Sequence, residues 1–182
     1  MSEFEATVDP LIQRLVDGEM IGSFSQEEIA QLARWSGKTA VVLSHVTPQC
    51  ERVPKRASVS LHPHSGPPKL FLFYDKLYAA MTLEGGFLQL VYGSELLVGT
   101  DELSGTRITL CVYNHCFTVD FPPIVEGVRY DLRESSSIML WPSTLSAGLT
   151  EIDIPASAQI GDVFYAICSR VKVGFNFGAL SS

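Results

Sequence analysis

Hydrophobic positions follow one rhythm up to Gly37 and another after it. In residues 9–37 they fall at helical spacing and predict two short helices. Asp9 is placed to cap the first, with Pro10 in its opening turn and Gly18 beyond its end. Ser25-Gln26-Glu27-Glu28 reads as a capping box, in which serine and glutamate satisfy each other's free backbone N–H groups. Ile29, Leu32 and Ala33 then share one helical face, and Gly37 is read as the stop. Beyond it, short runs separated by Gly, Pro, Ser and Asp read as strands, near 39–46, 57–62, 69–74, 86–92, 106–113, 116–120, 128–132, 137–141, 149–154 and 162–173. In one run Leu70, Leu72 and Tyr74 alternate with Phe71 and Phe73, so both of its faces are apolar. Short strands without intervening helices predict a mainly β fold. The expected architecture is a single antiparallel β-sandwich of jelly-roll type over 39–182, behind a short helical N-terminal arm over 1–38.

Composition shifts attention to the surface. At 182 residues the chain is long enough to bury a core. It is 46% hydrophobic and only 18% charged, with a mean hydropathy of +0.20. That is apolar for a monomer surrounded by water, and predicts surface hidden against further copies of the chain. A net charge of −7 argues against a general nucleic-acid binder, which needs surplus cations for phosphate. Seven acidic residues precede residue 30 against Arg14 alone, and a small basic cluster follows at Arg52, Lys55 and Arg56. No signal-peptide pattern and no apolar run of membrane-spanning length is read. The scattered cysteines, Cys50, Cys111, Cys116 and Cys168, do not form a secreted disulfide framework; reduced thiols in a cytoplasmic setting are expected.

Two stretches carry candidate chemistry. In "VSLHPHSGP", 59–67, His62 and His64 would face the same way on a strand about 7 Å apart, as His-x-His metal pairs do. Pro63 and the Gly-Pro-Pro turn instead mark a strand end, and no third ligand follows closely. In "CVYNHC", 111–116, Cys111, His115 and Cys116 resemble a zinc set, but on one continuous strand Cys111 and His115 would lie about 13 Å apart, with Cys116 facing away. A hairpin turning at Asn114 would bring them back together. No nucleophile elbow, Walker loop or dinucleotide fingerprint is present, so no cofactor is implied and a non-enzymatic role is expected.

Three patches resemble the coat proteins of tymovirus-type small icosahedral plant viruses: "VSLHP" at 59–63, "GGFLQLVYG" at 85–93 and "PPIVEGVRYDLRESSSIML" at 122–140. The final run "GDVFYAICSRVKVGFNFG" stands where that family's last long strand would be. The likeness extends over about residues 55–180; the helical first third and "KLFLFYDK" depart from it. It implies a jelly-roll subunit that self-assembles into an icosahedral shell enclosing RNA, found in the virion and the host cytoplasm, with polyamine counterions and no membrane. His62 alone matches the family's His-Pro motif; Lys55, Arg56 and His64 join it as candidate RNA contacts from charge and proximity. The competing expectations are a non-catalytic β-sandwich module binding glycan or protein, and a small metal-dependent barrel enzyme using His62 and His64.

Overall fold

The first helix, α1 (Glu3–Val16), starts ahead of the Asp9–Pro10 step and carries Pro10 in its interior, on an exposed position. Asp9 is therefore not its cap. Its end is as read: Gly18, at φ 94°, lets its own N–H reach the Leu15 carbonyl and that of Glu19 reach Arg14. These two bonds satisfy carbonyls that the last turn leaves open. Arg14 then ties this end to the next helix, pairing with Glu19 and Glu28 and lying 4.3 Å above the Phe24 ring. A short 3-10 turn (Ile21–Ser23) leads into the capping box. There the Ser25 N–H donates to Glu28 Oε2 at 2.7 Å, and the Glu28 N–H donates to Ser25 Oγ at 3.2 Å.

The computed structural model describes residues 3–46, 52–53, 55–62, 65–76, 89–97, 104–112, 115–121, 128–131, 137–142 and 174–177. Helix α2 spans Gln26–Val46, so Gly37 is no stop and the strand expected over 39–46 is helix. The reason lies in a stripe of small buried residues. Ala33, Ser36, Gly37, Ala40 and Ser44 recur at helical spacing and bring α2 close to its neighbours. A Cβ on Gly37 would stand 2.6 Å from Leu70 Cδ2 and 2.7 Å from Leu61 Cδ2, so glycine serves here as a point of contact. The run at 57–62 is likewise not a strand. It holds the end of α3 (Lys55–Val59) and a turn, with Ala57 and Leu61, one helical turn apart, both buried.

Among the described residues seven strands follow: β1 (Phe71–Lys76), β2 (Gln89–Leu97), β3 (Ser104–Val112), β4 (His115–Phe121), β5 (Val128–Asp131), β6 (Ile138–Trp141) and β7 (Gly174–Phe177). The strands expected at 149–154 and 162–173 lie outside the described residues. Five strands form one sheet in the order β2-β3-β4-β1-β6, and β5 pairs with β7 in a second. Every pairing among the described residues is antiparallel. Among the described residues, helices and antiparallel strands together give a mixed architecture.

One face of the five-stranded sheet receives the helices. Leu70, Leu72, Tyr74, Ile108, Leu110, Phe117, Val119, Phe121, Ile138 and Leu140 form one core with Val8, Leu11 and Leu15 of α1 and Ile29, Leu32, Ala33 and Ala40 of α2. Trp35 meets Phe117 edge-on at 6.4 Å. A bulge in the β1–β6 pairing lets Leu140 join this core while Trp141 packs against it. The other face is buried as well, as the two apolar sides of 70–74 predict: Phe71, Phe73, Cys111, Cys116 and Met139 all lie within.

Candidate functional site

The segment 55–66 departs most from its sequence reading. Lys55 and Arg56 open α3, His62 lies exposed in the turn after it, and Pro63 and His64 are outside the described residues. The His62 carbonyl, rather than a strand geometry, organises this turn. It accepts from the Ser65 N–H at 3.0 Å, the Ser65 hydroxyl at 2.7 Å and Arg34 Nη1 at 2.5 Å. Arg34 Nη2 also donates to the Gly66 carbonyl at 2.8 Å, where φ is 79°. The fork of a guanidinium suits two carbonyls at once, so α2 holds the turn from below. Ser60 Oγ, accepting from the Lys69 N–H, and Trp141 Nε1, donating to the Pro68 carbonyl, fasten the chain on to β1. His62 thus lies in a turn rather than on a strand, and its expected partner His64 lies outside the described residues.

The second stretch does fold back on itself. β3 and β4 are paired with Val112 opposite His115 and Cys111 opposite Cys116. The two cysteines therefore share a face, while His115 belongs to the other. Hairpin pairing thus unites two of the three residues read as zinc ligands and sends the third to the helix side. Among the described residues no group of three His, Cys, Asp or Glu side chains could hold a metal ion.

On the helix side, His115 is buried beside Tyr74, with Nδ1 2.9 Å from the phenolic oxygen and the rings stacked at 6.0 Å. Burial first, and Lys76 second, push the imidazole down to about 4, against a hydrogen bond to the Leu15 main chain that favours its charge. The ring is thus neutral at pH 7. With its N–H turned to Leu15, the Tyr74 hydroxyl donates to Nδ1. Burial pushes the phenol well above its usual range. Together the two rings join the last turn of α1 to the sheet.

The far face carries polar groups in rows across the strands. Arg107 meets Asp120 through two 2.7 Å contacts, Nε to Oδ1 and Nη2 to Oδ2. In the next row Thr109 and Thr118 are hydrogen-bonded at 3.1 Å. In the third, Cys111 lies opposite Cys116, Cys116 opposite Asp75, and Ser137 donates to Asp75 Oδ2 at 2.6 Å. Burial raises the Asp120 carboxyl while the guanidinium pulls against it. The charges are buried against each other, so these rows hold strand register. Sequence reading missed this layer because its partners are distant along the chain; only the alternation of Arg107, Thr109 and Cys111 with apolar neighbours hints at it.

Among the described residues four large apolar side chains stand in the open: Met20 at 77% exposure, Val42 at 60%, Val46 at 66% and Val59 at 68%. Val42 and Val46 are one turn apart on α2 and so lie on the same side of it. Compared with models of known protein families, with curated proteins and with solved structures, the chain matches none.

Proposed function

We propose that this protein is a non-catalytic structural subunit that assembles with copies of itself into a coat of the tymovirus-like kind, enclosing RNA. The observation that carries the reading is the exposed ridge of Val42 and Val46 in a chain that is 46% hydrophobic and 18% charged. Such residues cost free energy in water, on the order of 1.5–3 kcal/mol for each large side chain left unburied, and a second copy would cover them. The sandwich expected from the sequence belongs to the same proposal. It is supported by consistently antiparallel pairing and by a sheet whose second face is also buried.

Lys55, Arg56, His62 and His64 are the RNA contacts of this proposal, with polyamines balancing the remaining phosphate, since a net charge of −7 cannot. The virion and the host cytoplasm are the corresponding locations. Negative-stain microscopy of the purified chain tests assembly directly, and regular particles are expected. Replacing Val42 and Val46 together by Lys should abolish them while leaving helix content unchanged by circular dichroism. Particles that persist in this variant would move the contact elsewhere, and a wild-type chain without particles would favour a monomeric binding module.

A further inference from the structure

We propose that Cys111 and Cys116 are a reversible oxidation site, closing a disulfide across the β3–β4 hairpin. Register places the two residues directly opposite each other on neighbouring antiparallel strands, one position in from the Val112–His115 pair that ends the ladder. Directly opposed residues in such a ladder have Cα atoms about 4.5 or 5.5 Å apart, according to whether they exchange backbone hydrogen bonds. Both values fall within the roughly 4.4–6.8 Å that a disulfide spans. Residues opposite one another also point to the same side of the sheet, so the two thiols converge without backbone rearrangement. Both are buried, and neither is joined in a disulfide.

Surroundings decide what kind of disulfide this would be. Asp75, the register partner of Cys116, accepts from the Ser137 hydroxyl, and among the described residues no group of three ligands could hold a metal ion. The position near the end of the ladder matters most. Both sulfurs are covered on inner strands of the sheet, and opening of this end of the hairpin is the path by which an oxidant reaches them. The ring so closed is short, so it constrains the unfolded chain little. A bond that stabilises so little is one to be made and broken rather than a permanent staple.

The reaction consumes one small-molecule disulfide of the glutathione class. A thiolate of the pair attacks one sulfur of oxidised glutathione, forming a mixed disulfide and releasing one glutathione thiolate. The second thiolate attacks the protein sulfur of that mixed disulfide, expelling the other glutathione. Two protein thiols become one S–S bond, and one glutathione disulfide becomes two thiols, with the two protein protons passing to the leaving thiolates at neutral pH. Excess dithiol reverses the sequence. The site does not depend on the coat proposal, since it rests on strand register alone.

Its test uses the full chain, equilibrated with oxidised and reduced glutathione, acid-quenched, alkylated and digested with trypsin. Residues 108–129 contain no internal Lys or Arg, so both cysteines fall in one peptide, distinguishable from Cys50 and Cys168. The expected product is that peptide unalkylated and lighter by two hydrogens, formed with the native circular dichroism spectrum retained and removed by dithiothreitol. In Cys111→Ser the same treatment should leave Cys116 as a glutathione adduct. Full alkylation of both cysteines at every glutathione ratio, adducts without the internal bond in the wild-type chain, or a bond formed only in denaturant would each overturn the proposal.

Discussion

Ser36 is completely buried in α2, and among the described residues its hydroxyl has no hydrogen-bond partner. A buried polar group left unpaired costs about 1–3 kcal/mol, and alanine is also the better helix former. Ser36→Ala should therefore raise stability by about 1 kcal/mol, read as a higher urea midpoint at unchanged slope. Its neighbour behaves oppositely. At Gly37 a methyl group would intrude on Leu61 and Leu70, both buried, while removing a glycine from a helix gains up to about 1 kcal/mol. Those opposing effects leave Gly37→Ala near neutral. Gly37→Val adds two more methyl groups and β-branching, so it should destabilise by about 2–3 kcal/mol in the same urea experiment.

At the scale of elements, His115 couples α1 to the sheet and makes that coupling sensitive to acid. Its folded value of about 4 lies below the ordinary 6.5, so between these limits the unfolded chain binds more protons. Stability is then fully present above pH 6.5 and declines as pH falls towards 4. The loss reaches about 2 kcal/mol by pH 5. His115→Asn should flatten this part of the curve, whereas a wild-type curve already flat from pH 7 to 5 would contradict it. Glu19, held down at about 2 chiefly by its hydrogen bonds to Arg14, contributes its own acid loss lower, between its ordinary 4.5 and 2. Legibility also differed by element. The strands at 71–76, 104–112 and 115–121 could be read because β-branched and aromatic residues mark them, and the Ser25–Glu28 box because its signal is local. Residues 39–46 misled because Val41 and Val42 follow a glycine that looked like punctuation, while the small-residue stripe of α2 carried the opposite message. The turn at 60–66 misled through its two histidines, when the clamp comes from Arg34, 28 residues away in sequence from His62.

Over the whole molecule, an antiparallel sheet lies with α1 and α2 on one face and a layer of paired polar groups buried on the other. The two apolar sides of residues 70–74 announced burial of both faces, but the Arg107–Asp120 pair and the Tyr74–His115 contact are made by the fold and have no local signature. Neither polar set opens to a ligand among the described residues, whereas Val42 and Val46 face outward. Self-association is therefore the claim on which the functional account stands. Light scattering coupled to size-exclusion chromatography measures it most directly, across a range of pH and salt. The account predicts a mass many times the 20.0 kDa of one chain, collapsing towards a single chain in the variant with Lys at positions 42 and 46. A wild-type chain that elutes at one-chain mass under every condition would contradict it.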